Sequence, residues 1–290
     1  MGYDVWKTLY TNDFDTSKYL YHYTTIEKAI KILHSQTLRF ASISSTNDTT
    51  ESRMKLIYTD ASNNELPKDD KRVKVVDDYF KTYYKLIRLI CFSGDSPLTN
   101  KDKDKAQKLH VDHETDKYFD ISGRGFALPR MWSQYASNNE GVCFIVNKEM
   151  FEIELKKKLE FFKHKPVKYK GFFDSHVIDE EKLNILYNRV KSHTNGSLTL
   201  LSQMSSDAKF LEYNFFTKLK DWENEREYRY VTFTNDANEH VEIGNIYSYL
   251  EGIVIGEKID PAYESVIKMK VSSKCRVKKI SFGNRSCILK

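Results

Sequence analysis

The stretch Trp222-Glu223-Asn224-Glu225-Arg226-Glu227-Tyr228-Arg229, running on into Tyr230-Val231-Thr232-Phe233, decides how the rest of the chain is read. Its far end is aromatic and β-branched, the composition of a pleated, half-buried strand. Side chains on a strand alternate between faces, so Glu225, Glu227, Arg229, Val231 and Phe233 fall on one side. Two carboxylates and a guanidinium thus share a face with residues that belong in a core. Alternate strand residues lie roughly 6.5–7 Å apart, a separation at which two glutamates raise each other's pKa. A solvated strand gains nothing from this; a cleft that needs a carboxylate does.

Around this strand the pattern is mixed. Residues 19–23 read as a first strand, with Leu20 and His22 on one face and three tyrosines on the other. Thr24 and Glu27 form a capping box ahead of Ile26, Ala29, Ile30 and Leu33 at helical spacing. A second strand over 37–43 ends in the polar cluster Ser44-Ser45-Thr46-Asn47-Asp48, and residues 53–67 carry no clear pattern. Val73, Val76, Phe80, Tyr83 and Ile87 trace a helix leading into a short strand over 89–92. Residues 94–128 form a charged insertion, with the run Lys101-Asp102-Lys103-Asp104-Lys105. Pro129 opens a short helix carrying Trp132, Tyr135 and Ala136, and Gly141 starts a strand over 142–146. Residues 178–219 read as largely helical, marked by Leu183, Leu186, Val190, Phe210, Leu211 and Phe215. A buried strand over 252–256, a helix starting at Asp260-Pro261 and strand-like residues from 271 to 282 complete the chain. Short strands separated by irregular helical segments predict an α+β fold. The expectation is one domain over 1–290, with the charged insertion at about 94–128 and a helical one at about 175–219.

Composition narrows the function classes. A net charge of +5, from 46 basic and 41 acidic residues, is too weak to imply nucleic acid by itself. Basic clusters nevertheless occur at 156–158, 163–170 and 268–279. The N-terminus lacks the build of a signal peptide, Trp6 breaks the myristoylation pattern, and no run approaches the ~18 apolar residues of a membrane helix. Cys91, Cys143, Cys275 and Cys287 form no CxxC pair, so buried free thiols in a reducing cytoplasm are expected. No GxGxxG, GxxxxGK[ST], HExxH or GxSxG is present. His110-Val111-Asp112-His113 sits in the charged insertion and reads as solvated loop rather than a metal site.

Four separated motifs carry a resemblance: Leu20-Tyr21-His22-Tyr23-Thr24; Leu38 to Ser42 with Asn47-Asp48 and Glu51; Trp132-Ser133-x-Tyr135 with Gly141-Val142-Cys143; and Trp222-x-x-Glu225-x-Glu227-Tyr228-Arg229. In this order they resemble a bacterial family filed as a domain of unknown function. More distantly, a Leu-x-His-x-Thr strand, a helix feeding a Gly-started strand and a late strand with a Glu are similar to the ADP-ribosyltransferase superfamily. That resemblance implies a split antiparallel β-sheet core with helical insertions, and an NAD cleft framed by a His and a Glu. Carried over position by position, His22 holds the adenosine ribose, Glu227 is catalytic and Glu225 helps choose the acceptor. The middle motif residue is open between Ser42, Phe40 and Tyr135.

The chemistry suits these residues. Cleaving the nicotinamide–ribose bond passes through an oxocarbenium-like state that a fixed carboxylate stabilises. Glu227 would supply it, Thr24 could hold nicotinamide or a neighbouring hydroxyl, and Tyr23, Trp132 and Tyr135 are available for stacking. Arg229 would pair with a pyrophosphate or with the glutamates themselves. The expected function is therefore NAD-consuming ADP-ribosyl transfer or glycohydrolysis, as in a bacterial toxin or phage-defence effector. NAD is the substrate, no metal is expected, the acceptor is an unspecified macromolecule, and a neutralising partner protein is a further expectation. Plainer readings stand beside this one: His22 as a core histidine, the glutamates in an ion-pair network with Arg226 and Arg229, and Trp132 and Tyr135 as core. Two other classes remain open. One is a metal-dependent phosphodiesterase using Asp48, Glu51, Glu225 and Glu227; the other is a binding module with a degenerate cleft.

Overall fold

The computed structural model describes residues 18–46, 48, 56–96, 123–171, 176–192, 212, 214–271, 275–283 and 287–289. Asn47, Glu51, the 101–105 run, the His110–His113 segment, Phe210 and Leu211 lie outside them. Within them the chain builds a mixed, mainly antiparallel α+β fold on a ten-stranded sheet.

β1 (Tyr19–Thr24) sits centrally because both its faces are apolar or aromatic, and it pairs along its whole length with β5 (Val142–Asn147). Beyond β5 come β12 (Leu250–Ile255), then β13 (Arg276–Phe282) in parallel, and β14 (Cys287–Leu289). On its other edge β1 meets β4 (Ile87–Ser93) at a single register pair, Tyr21 opposite Ser93. The two strands then part, and β2 (Leu38–Ser42) takes β4's edge at Leu89 and Arg88, with β11 (Val241–Ile243) outside it. The opposite edge of β4 pairs over seven residues with β10 (Glu227–Phe233), which in turn carries β6 (Lys163–Pro166). The sheet therefore divides into two limbs at β4.

Helices cover both faces. α1 (Ile26–Ser35) buries Ile26, Ala29 and Leu33; its N-cap is Thr25, whose hydroxyl accepts from the Lys28 amide at 3.4 Å. The expected cap, Thr24, is committed to the β1 ladder opposite Val142, which moves the helix start by one residue. α4 (Lys148–Lys158) and α6 (Pro261–Lys270) join α1 over the face bearing Leu20, Phe92 and Tyr230. On the other face α3 (Pro129–Tyr135) packs over Tyr21, Tyr23 and Val254, while α2 (Lys71–Tyr84) and α5 (Glu180–Ser192) pack over Leu89 and Val231. Gly141 is where β1, α3 and β5 meet; a Cβ there would stand 2.4 Å from the Thr24 carbonyl oxygen. Two small parallel ribbons complete the fold: β3 (Leu56–Tyr58) with β8 (His176–Ile178), and β7 (Lys168–Lys170) with β9 (Thr217–Leu219). The expected helical stretch 178–219 thus includes strand at both ends, with α5 as its main described helix.

The glutamate segment differs from expectation at its start. Residues Lys220–Glu225 form a 3-10 helix, Arg226 is left-handed (φ 49°, ψ 46°), and the strand begins only at Glu227. Asp221 to Asn224 contain no β-branched residue to hold an extended backbone, and the Arg226 amide donates back to the Glu223 carbonyl at 3.2 Å.

Candidate functional site

Register places Glu227 opposite Ser93, and Ser93 opposite Tyr21. Paired residues project on the same side, so Glu227, Arg229, Cys91 and Tyr21 share one face, next to the division of the sheet. Glu225 reaches the same place by another route, because the left-handed step at Arg226 turns the end of the 3-10 helix back toward β10.

Four charges meet there, every side chain at most 5% exposed. The Lys218 ammonium, carried by β9, lies 2.8 Å from Glu225 Oε2 and 2.9 Å from Glu227 Oε2. Arg229 Nε donates to Glu227 Oε1 at 2.6 Å, and its Nη1 donates to the Phe215 carbonyl at 2.9 Å. Tyr135 Oη, from the end of α3, donates to Glu225 Oε1 at 2.7 Å. The Glu227 amide donates to Tyr169 Oη of β7 at 2.9 Å. Trp222 borders the group, its ring 4.9 Å from Lys218 Nζ and 5.5 Å from the Arg130 guanidinium, which also donates to the Asp221 carbonyl at 2.8 Å.

The electrostatics follow from this arrangement. Burial pushes the Glu227 pKa up, but the charges of Arg229 and Lys218, with hydrogen bonds from Arg229 and Cys91, outweigh it and bring the carboxyl down to about 2. Mutual elevation between the glutamates, expected from strand spacing, does not decide Glu227: two cations stand closer to it than the second acid was expected to. Burial and then the charge of Glu225 push the Tyr135 hydroxyl up, so it remains a donor. Burial and Glu227 likewise raise the Cys91 thiol.

Of the residues singled out in the sequence, the fold brings together Glu225, Glu227, Arg229 and Tyr135. Arg229 is spent on Glu227 and a backbone carbonyl, away from solvent. His22 is not in this group. Tyr21, not His22, is in register with Ser93 and Glu227, so the imidazole projects from the opposite face, edge-on to Phe92 at 5.6 Å. Its Nδ1–H donates to the Cys91 carbonyl at 3.1 Å, in the gap where β1 leaves β4, and burial, aided by Lys28, lowers its pKa. The expected His22–Glu227 cleft is corrected accordingly. Trp132 is wholly buried and donates to the Phe126 carbonyl at 2.8 Å; Tyr23 packs edge-on to it at 5.3 Å and donates to the Gly125 carbonyl. Both rings belong to the core and offer no face for stacking. Thr24 is buried at the end of β1, and the Ser42 hydroxyl accepts from the Ser44 amide at 3.4 Å as a turn cap. Among the described residues, no group of three or more His, Cys, Asp and Glu side chains is arranged to hold a metal ion, and all four cysteines are free.

Sequence reasoning missed Lys218 and Tyr169. Both sit in lysine-rich contexts, Lys218-Leu219-Lys220 and Lys168-Tyr169-Lys170, where a solvated strand is the natural reading. It also missed the base of the charged insertion. There Arg124 and Asp95 form an almost fully buried pair at 2.8 Å; the Tyr21 hydroxyl and the Gly125 amide donate to the same carboxylate at 3.1 and 2.8 Å.

A family model described as a protein of unknown function (DUF2971) matches residues 131–230. The DUF2971 span takes in Tyr135, Tyr169, Lys218, Glu225, Glu227 and Arg229 and leaves out His22. No curated protein and no solved structure matches the chain. Among the described residues, no helix is long and apolar enough to cross a membrane.

Proposed function

We propose that the protein cleaves the N-glycosidic bond of NAD, as an ADP-ribosyltransferase or an NAD glycohydrolase, with Glu227 as the catalytic carboxylate. The observation that carries this reading is the acid pair: Glu227, held ionised to about pH 2, and Glu225 share one ammonium in a buried setting. A carboxylate with so low a pKa cannot serve as a proton donor at neutral pH. It suits the other role, stabilising positive charge that develops on a sugar. Lys218 already shows a cation bridging the two acids, and an oxocarbenium ion would be favoured by the same field once the ammonium moves aside. Trp222 and Tyr135, both partly exposed at the rim, would face the departing nicotinamide. The division of the sheet beside Glu227 lends support, since the ADP-ribosyltransferase resemblance implies a split sheet. The phosphodiesterase reading has less behind it: Glu225 and Glu227 are engaged by cations, and Glu51 lies outside the described residues.

The test is to incubate the protein with NAD and follow free nicotinamide by chromatography, with and without candidate acceptor proteins and nucleic acids. Release is expected from the native protein, with a loss on the order of 10²–10³-fold in a folded Glu227→Gln variant. Native protein that releases no nicotinamide under any of these conditions overturns the proposal.

A further inference from the structure

Arg226 is an unfavourable residue for the backbone it occupies. At φ 49°, ψ 46° it lies in the left-handed region, which glycine enters without strain and which asparagine or aspartate tolerates better than a long side chain does. The Gly94 amide donates to the Arg226 carbonyl at 2.7 Å, a bond that glycine at this position would make equally well. What arginine adds over glycine is the side chain, so the reason for the strain is to be sought at the guanidinium.

That group is half-buried and incompletely satisfied. Of the five N–H donors of an arginine, it uses one among the described residues, from Nη1 to the Gly123 carbonyl at 3.1 Å. The carboxylates around it are committed elsewhere: Asp95 to Arg124 at 2.8 Å, Glu225 to Lys218, and Glu227 to Lys218 and Arg229. Burial lowers its pKa, opposed chiefly by Asp95, whose single charge acts on two guanidinia and can balance one. The fully buried Arg88 shows the contrast, since it donates to five backbone carbonyls, those of Lys85, Ile87, Asp236, Ala237 and Glu239. Arg88 is a structural arginine with its donors used; Arg226 has donors and charge to spare.

We propose that Arg226 is an anion-binding residue that takes the pyrophosphate of a nucleotide substrate beside Glu227. The planar fork of a guanidinium matches two phosphate oxygens, and a ligand would meet the donors that the protein leaves unused. Strained backbone is characteristic of ligand clamps of this kind. The neighbouring side chains reach different partners: Arg226 the Gly123 carbonyl at one end of the insertion, Glu227 the Lys218 ammonium on β9. In NAD the phosphates hang from C5′ of the same ribose whose C1′–N bond is cleaved, so consecutive residues would hold the two ends of one sugar. The identity of the nucleotide rests on the proposed function; anion binding by Arg226 does not.

Titration calorimetry of the full chain with inorganic pyrophosphate and with ADP-ribose tests it. The native protein should bind both, and Arg226→Gly should weaken each by about 10–100-fold, the worth of a charged hydrogen-bonding partner. The same variant relieves the left-handed strain while losing one carbonyl hydrogen bond, so its melting temperature should stay within about 4 °C of native. Arg226→Lys keeps the charge without the fork and should recover part of the affinity. Native protein that binds neither probe, an Arg226→Gly variant that binds both as tightly as native, or one whose melting temperature falls by more than about 4 °C each overturns the proposal, the last because the arginine is then structural. Pyrophosphate binding that depends on Arg226 in a protein that releases no nicotinamide would end the NAD reading and uphold the anion site.

Discussion

Replacing Glu227 by Gln removes one negative charge from a buried group that is otherwise neutral, two carboxylates against Lys218 and Arg229. The glutamine keeps shape and one carbonyl acceptor, but Arg229 Nε loses an ionic partner at 2.6 Å and Lys218 loses one at 2.9 Å. Two estimates of the cost agree. Breaking a buried pair by removing one partner costs about 3–5 kcal/mol. Independently, depression of the Glu227 pKa from 4.5 to about 2 is worth roughly 3 kcal/mol, at about 1.4 kcal/mol per tenfold change in equilibrium. At ~2–4 °C per kcal/mol for a chain of this size, the melting temperature should fall by about 10 °C. The pH dependence gives a second readout. Because the folded pKa is depressed, this stability is present above about pH 4.5 and is lost as pH falls toward 2; Glu227→Gln should lack that part of the acid transition. The double variant Glu227→Gln/Lys218→Met restores neutrality, leaving Glu225 with Arg229, and should recover about 1–3 kcal/mol of the loss. Thermal melts and urea titrations at pH 7 and pH 3 measure all of this. A Glu227→Gln protein melting within about 2 °C of the native one, with an unchanged acid transition, would refute the electrostatic account. Recovery of stability in the double variant without recovery of nicotinamide release would separate structural from chemical roles.

Tyr135→Phe removes the hydroxyl that donates to Glu225 and should cost about 1.5 kcal/mol, with a roughly tenfold slower nicotinamide release at unchanged pH optimum; a variant with native rate and stability refutes the contact. Burial raises all four thiols, Cys275 and Cys287 to about 12, so native protein at pH 8 should resist iodoacetamide while urea-unfolded protein alkylates fully, as mass spectrometry will show. Gly141→Ala places a methyl 2.4 Å from the Thr24 carbonyl oxygen, a backbone atom that cannot step aside, and should destabilise by about 1–3 kcal/mol in urea titration; a neutral effect refutes the close approach.

How much of this was legible depends on which signal each residue gave. The strands around Tyr21, Ile90, Phe144, Ile253 and Val231 were readable because apolar runs of strand length between turn residues have few other uses. The alternation that put Glu227 with Arg229 also held, since both lie inside β10. The same rule extended to Glu225 failed, because a single left-handed residue ends the strand and nothing in Asn224-Glu225-Arg226 announces it. His22 was misplaced for a related reason. Alternation fixed its face relative to Tyr21, but only register across β4 could say which of the two faces Glu227 shares, and register is a tertiary fact. Lys218 was out of reach entirely: a buried ammonium is known by its partners, and they are 7 and 9 residues away across a turn.

The left-handed step at Arg226 explains how two acids from different elements come to share one ammonium, and it connects them to the charged insertion. A non-glycine residue in that conformation costs about 1–2 kcal/mol unless its surroundings hold it. Here the Gly94 amide donates to the Arg226 carbonyl at 2.7 Å, and the Arg226 guanidinium donates to the Gly123 carbonyl at 3.1 Å. Gly94 and Gly123 stand at the two ends of the insertion, beside the buried Asp95–Arg124 pair. The turn that aims Glu225 at Glu227 is therefore held from two sides: from the insertion, and from the β7–β9 ribbon, whose Tyr169 hydroxyl accepts from the Glu227 amide at 2.9 Å and whose last residue, Leu219, leads directly into the 3-10 helix that ends at Glu225.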